Sequence, residues 1–238
     1  MKLSIAPEVL ADFRELAIGV VSAAGVRNQS SHEVISGLLR QEVQRIQREH
    51  TRESLARMPE FLAWRGAYAR FNGNPKKYRC SAENLYATVL ERGDVRSIHM
   101  LVDLYNVISL RHAVPVGGED TSRVEGDIVL CRASGHEPFV ALNGEETTYP
   151  KPGEVVYRDA LGVLCRRWNW REAERTKLTL DTRSLVLVVE GLPPVGMERV
   201  GAATAELAEL VQDFAGGSVE MALLNAEKPE VTLLAETS

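Results

Sequence analysis

The stretch Gly93–Asp120, GDVRSIHMLVDLYNVISLRHAVPVGGED, decides how this chain is read. Its apolar run predicts a helix over roughly Ile98 to Leu110, carrying Asp103, Asn106 and Ser109 at spacings of three. A carboxylate, an amide and a hydroxyl so spaced are expected on one helix face. The segment is then expected to break at Pro115 into a tight turn at Gly117-Gly118, ending in Glu119-Asp120. Glycine has no side chain in the way, so backbone can come close to whatever that face holds. Taken alone, Asp103 and Asn106 read more readily as residues that cap a helix or tie down a loop. Their coincidence with the glycine corner points instead to a pocket.

Upstream, LSIAPEVLADF predicts a short strand and a Pro-initiated helix, and AIGVVSAAGV a buried strand. Ser30 and Glu33 read as a capping box opening a helix with Ile35, Leu38, Leu39 and Ile46 on one face. A second helical segment after Pro59 carries Phe61, Leu62, Trp64 and Tyr68, and Asn72–Pro75 reads as a loop. SAENLYATVLERG predicts a compact helix with Ser81 as cap and Gly93 as stop. From Gly126 onward the pattern is strand-like in DIVLCRA, EPFVALN, EVVYRD, GVLCRRW and KLTLDTRSLVLVVEGL. These predict one meandering sheet of at least five strands. Met197–Phe214 reads as an amphipathic helix stopped by Gly216-Gly217, and VEMALLNA as the last strand. With no repeat or linker in between, residues 1–238 read as a single α+β domain, its helical N-terminal part packed on a mixed, mostly antiparallel sheet.

With 238 residues, 45% of them hydrophobic and 26% charged, the chain can bury a sizeable core. It holds no apolar run of the roughly 18 residues needed to span a membrane. Glu8 and Asp12 interrupt the N-terminus where a signal peptide would be apolar. Cys80, Cys131 and Cys165 are odd in number and lack CxxC spacing, which argues for a reducing, cytoplasmic setting and against zinc. A net charge of −5 excludes coating of nucleic acid by overall charge. From Arg40 to Arg79, however, ten bases stand against four glutamates. That segment is either a local basic face or a solvated helix with opposed charges at i,i+4.

The chain shows no P-loop, GxSxG, HExxH or dinucleotide GxGxxG. Its five histidines are scattered without metal spacing and read as surface residues, so neither metal nor cofactor is expected. Cys165–Glu172, CRRWNWRE, stands out. Arg166, Arg167 and Arg171 with Trp168, Asn169 and Trp170 could stack on a base and grip phosphate or carboxylate oxygens. The alternative is that both tryptophans are core and the arginines pair with nearby Glu172 and Glu174.

At these residues the chain resembles the editing domain (B3/4) of the β subunit of bacterial phenylalanyl-tRNA synthetase. VRSIHMLVDLYN matches the family's arginine-containing lead-in and V-D-x-x-N helix, and PVGGED its turn. HEPFVALNGEE and TRSLVLVVEG match its glycine-glutamate stretch and its last strand, so the likeness runs from about Leu85 to Glu190. It implies a freestanding relative of a domain that removes tyrosine wrongly esterified to the phenylalanine tRNA. Such a chain would bind the acceptor end of aminoacyl-tRNA and act in trans. The family's turn histidine falls on Gly117, its following acidic residue on Asp120, and its editing glutamate on or next to Glu190.

Ester hydrolysis needs a positioned water, a proton acceptor and oxyanion donors. On this reading Gly117 and Gly118 supply amides, and Glu190 or Asp120 orients water or the substrate ammonium. Asn106 and Ser109, with Asp103, read the amino acid, while Arg166, Arg167 and Arg171 with Trp168 and Asn169 hold the terminal adenosine. No Ser–His or Cys–His pair suggests a covalent intermediate. Two alternatives stand beside it: a module that binds a free amino acid or aminoacyl ligand without chemistry, and a hydrolase of small amino-acid esters that never touches tRNA.

Overall fold

The computed structural model describes residues 1–71, 73, 74 and 77–235. In chain order, strand β1 (Lys2–Ile5), helix α1 (Pro7–Asp12) and strand β2 (Ala17–Ala24) come first. Five helices follow: α2 (Glu33–Glu49), α3 (Arg52–Leu55), α4 (Pro59–Arg70), α5 (Ser81–Arg92) and α6 (Met100–His112). Eight strands come next: β3 (Val116–Asp120), β4 (Ile128–Arg132), β5 (Phe139–Val140), β6 (Thr147–Thr148), β7 (Val155–Arg158), β8 (Val163–Arg166), β9 (Arg171–Glu172) and β10 (Ser184–Gly191). The described part closes with α7 (Met197–Ala215), β11 (Ser218–Leu224) and β12 (Glu230–Thr232).

The α+β architecture expected from the patterning is present, but the strands form two main sheets rather than one meander. One has the order β12-β1-β4-β7-β8-β9, with β1 and β4 parallel and the other pairs antiparallel. The other, β11-β2-β10-β3, is wholly antiparallel, and β5 with β6 forms a small separate pair. The sequence pattern shows which segments are extended but carries no pairing information, and β1, β2 and β3 precede the strand-rich half. KLTL of the long apolar run stays outside β10, and β12 follows VEMALLNA.

Alternation along β10 divides the molecule. Leu185, Leu187 and Val189 join Val21, Val116 and the apolar faces of α6 and α7 in one core. The opposite face carries Val186, Val188 and Glu190 toward the six-stranded sheet. There a second core collects Leu3, Ile18, Val20, Phe61, Trp64, Tyr68, Tyr86 and Trp168. Helix α6 is buried along nearly its whole length, which explains an apolar run with little amphipathic contrast.

Several local readings change. Gly117 and Gly118 are not a turn; they lie in β3, opposite Val188 and Leu187 of β10. They are needed for close approach instead. A Cβ on Gly118 would sit 2.3 Å from Leu187 Cδ2 and 2.9 Å from the Val186 carbonyl. His32, not Ser30, is the N-cap of α2, and no side chain bonds there, so the capping box does not form. Cys80 rather than Ser81 caps α5, its sulfur accepting from the Glu83 amide, while Gly93 ends the helix at φ 82 as expected. Of the expected Asn72–Pro75 loop, Asn72 and Pro75 lie outside the described residues.

Gly118→Ala is expected to destabilise the protein by about 1–3 kcal/mol through overpacking against β10. Gly66→Ala, in α4 with nothing within 4 Å of its added methyl, is expected to stabilise by about 0.5–1 kcal/mol. Thermal unfolding of the pair checks this, and equal effects would show that β3 does not pack so closely.

Candidate functional site

A cavity of about 400 Å³ opens between the two sheets. Its floor is the inward face of β3 and β10: Gly117, Glu119, Val186, Val188 and Glu190. Leu3, Ile128, Tyr157, Cys165 and the Trp168–Glu172 turn wall it from the six-stranded sheet, and Ser81, Leu85, Tyr105 and Asn106 from the helices. Among the described residues lining it the only cations are Arg96 and Arg171, both exposed.

Glu190 is 1% exposed and accepts three hydrogen bonds. Tyr157 Oη and Trp168 Nε1 each donate to Oε1 at 2.7 Å, and Asn169 Nδ2 donates to Oε2 at 2.8 Å. Tyr68 Oη donates in turn to Asn169 Oδ1 at 2.8 Å, fixing which way the amide faces. The donors favour the carboxylate and burial opposes it. Burial wins, and the carboxyl is pushed up to about 7. Trp168 reaches Glu190 because Arg167 and Trp168 adopt left-handed φ values of 48° and 68° between β8 and β9. Such conformations cost on the order of 1–3 kcal/mol each in residues with a Cβ. Packing edge-on against Phe13 and Trp64 holds Trp168 in place.

Glu119 and Glu172, neither singled out in the sequence, form a second acidic group. Glu172 Oε1 would lie 3.0 Å from a Cβ on Gly117 and accepts a 3.4 Å bond from the Gly118 amide. Burial pushes its carboxyl up to about 7. Burial and the neighbouring Glu172 hold the Glu119 carboxyl well above the usual range. The signal available was period two: in a strand Gly117, Glu119 and the facing Glu190 share a side, whereas the turn reading hid it.

The remaining expected site residues divide. Asn106, Gly117, Gly118, Trp168, Asn169, Arg171 and Glu190 all line the cavity. Asp103 instead accepts from Ser97 Oγ and from the Ile98 amide, at 3.0 Å for the amide, pinning the Val95–Ile98 wall. Ser109 donates to the Val114 carbonyl at 2.7 Å, closing the end of α6. A spacing of three turns each residue about 60° from the last, so 103 and 109 diverge around the helix. Asp120 points away from Gly117 and Glu119; it holds the Ser122 amide at 3.0 Å and the Thr182 hydroxyl at 2.7 Å. Arg166 is spent on Glu154, two bonds of 2.8 Å in a buried pair. Arg167 lies 3.8 Å over Tyr78 and 4.5 Å over Trp170, and Trp170 itself lines the cavity. Along β3 the Gly118 and Asp120 amides turn outward to Glu172 and the Thr176 carbonyl, so the Gly117 amide faces β10 and not the cavity.

Other sequence readings also change here. His99 is buried, not at the surface, with its ring between Asn28 and the Leu178 carbonyl. The basic segment is partly neutralised by Arg45–Glu42, Arg45–Glu49, Arg65–Glu83 and Arg79–Glu83 pairs. The three cysteines are free and buried. Among the described residues no cluster of three metal-ligating side chains occurs, and no helix is long and apolar enough to cross a membrane.

Residues 63–216 match the B3/4 domain family. The phenylalanine–tRNA ligase β subunit of Bordetella pertussis is 32% identical over 110 residues, covering 46% of this chain and 13% of that subunit. The Leifsonia xyli β subunit is 24% identical over 154 residues, 55% of this chain and 18% of its own length. The chain thus spans a small part of the curated relatives it matches. An N-terminal fragment of the phenylalanyl-tRNA synthetase β-subunit from Pyrococcus horikoshii superposes with a TM-score of 0.46 at 14% identity, over 91% of this chain and 49% of that one.

A carboxyl raised from 4.5 to about 7 on folding favours the folded state fully below about 4.5, and that contribution is lost as pH rises through about 7. Relative to Glu190→Gln, the native protein is therefore expected to lose roughly 3 kcal/mol of stability between pH 4.5 and 8. Denaturant unfolding at several pH values checks this; parallel curves for the two proteins would show that Glu190 is not held neutral by burial.

Proposed function

The chain belongs to the B3/4 domain family, and on that premise we propose that it hydrolyses the ester of mischarged aminoacyl-tRNA in trans. One observation carries the reading: the cavity separates its charges. Carboxyls from Glu119, Glu172 and Glu190 lie inside, and Arg96 and Arg171 stand at the exposed mouth. An aminoacylated adenosine is charged in the complementary order, with an ammonium on the acyl group and phosphates on the strand behind it. The apolar walls from Val186, Val188, Leu85 and Tyr105 suit the acyl side chain. The β-subunit relatives act with tRNA by name, which accords with a tRNA ligand.

Asn106 reads the acyl group from α6, and Trp170, with Arg167 on its face, offers stacking surface for the terminal base. A carboxylate with a pKa of about 7 suits a general base at neutral pH. Glu190 orients water or takes its proton when ionised. A second reading, binding without chemistry, is favoured by the three donors on Glu190, which occupy much of its acceptor capacity.

Incubation with a full panel of mischarged tRNAs is expected to release amino acid from at least one. Glu190→Gln should slow that release by roughly 100-fold or more and Asn106→Ala by roughly 10-fold. The native rate should rise between pH 6 and 8 with an apparent midpoint of about 7, because the ionised carboxyl is the active form. Absence of release across the whole panel removes the hydrolase reading. Saturable, salt-sensitive tRNA binding without release would establish the binding module in its place.

A further inference from the structure

The Glu119–Glu172 pair is not needed by the hydrolytic scheme built on Glu190, and it is an unusual thing to bury. Glu119 is 8% exposed and lines the cavity, and its Oε2 is a buried oxygen with no partner at hydrogen-bond geometry, although the Thr176 hydroxyl, itself unpartnered, lies close enough to favour the ionised carboxylate. An unpaired buried acceptor of this kind is destabilising, and more so if charged. Beside it stands a second carboxylate, close over residue 117: a Cβ there would lie 3.0 Å from Glu172 Oε1, tighter than ordinary contact. Strand β3 thus provides an acid at 119 and, two residues before it on the same face, the space into which β9 delivers another.

We infer that the Glu119–Glu172 pair is the subsite for the free primary ammonium of the bound aminoacyl group. The inference deepens the function proposed above and rests on that reading for the identity of the ligand. Two neighbouring carboxyls can accept from two of the three N–H donors of an ammonium, and a cation between them offsets the burial that, with the nearby Glu172 charge, raises Glu119 and, by burial alone, raises Glu172. A metal ion is the poorer occupant, since no third ligating side chain joins the pair among the described residues. Arg175, whose charge acts on Glu119, is bonded to Asp159 at 2.7 Å and does not pair with Glu119. The subsite therefore rejects acyl groups whose amine is blocked, and it leaves Glu190 for the water or the acyl side chain.

The test needs no tRNA. The full chain is titrated by calorimetry with the twenty L-amino-acid amides, which carry the ammonium but no carboxylate, and then with the N-acetyl form of the tightest. Binding of at least one amide is expected, with loss of detectable binding on acetylation. Glu119→Gln and Glu172→Gln should each weaken it at least tenfold. Should the Gln variants not fold, the acetylation arm still decides, because it uses the native protein. No binding by any amide, equal binding of the acetylated form, or full affinity in both Gln variants each overturns the subsite. A deacylase that treats N-acetylaminoacyl-tRNA like the free-amine form would overturn the subsite and leave the hydrolase reading intact. Ammonium-dependent binding without any deacylation would do the reverse.

Discussion

Three elements outside β10 meet on the carboxylate of Glu190. Tyr157 comes from β7, Trp168 and Asn169 from the turn between β8 and β9, and Tyr68 from α4 through Asn169. These bonds join the four-stranded sheet to the six-stranded one across the cavity. Hydrogen bonds to a charged group contribute about 1.5–3 kcal/mol each, while burying an ion costs several. The carboxyl's rise to about 7 shows which side of that balance is heavier. An apolar residue in this position would remove the burial cost, but it would also release the donors that aim Trp168 and Asn169. The cavity keeps its shape because a destabilising group is held where it is.

The strained turn at Arg167 and Trp168 belongs to the same arrangement. Two residues with side chains in the left-handed region persist only where the surroundings over-determine them. Here the surroundings are the Trp168 N–H on Glu190, the Trp168 amide on the Val155 carbonyl at 2.7 Å, and the buried Arg166–Glu154 pair one residue earlier. The arginine–tryptophan cluster is thus divided by function. Arg166 and Trp168 hold the wall, whereas Trp170 and Arg171 face the cavity they define.

Much of the architecture was legible because burial leaves an apolar signature. Helix α6, strand β2 and strand β10 are buried along nearly their whole length and read as apolar runs, and Gly93 and Gly216 end helices where glycine is expected. Glu190 and Asn106, expected through the resemblance and the helix pattern, do line the cavity. What could not be read was pairing. VGGED has the composition of a turn, and only its partner β10 makes it a strand, with Gly118 under Leu187. That single change reversed the roles of Glu119 and Asp120. It moved Glu119, which had been given no site role, into the cavity and sent Asp120 to hold Ser122 and Thr182. Asp103 and Ser109 failed for a related reason, since their partners at Ser97 and Val114 are set by chain direction rather than by residue type.

The resemblance sets a family histidine against Gly117, and its loss looks at first like a vacancy in the site. The structure argues otherwise. The space above Gly117 is filled by the carboxylate of Glu172, which reaches over from β9 and comes within 3.4 Å of the neighbouring Gly118 amide. A Cβ at 117 would crowd this carboxylate at 3.0 Å, so the glycine and the glutamate fit together as one feature rather than a deletion beside an unrelated acid. With a pKa of about 7, Glu172 also changes protonation in the range where a histidine would. The two differ in sign: histidine loses its positive charge as pH rises, whereas Glu172 gains a negative one. At this place the cavity carries a carboxylate acceptor where the resemblance would set a histidine.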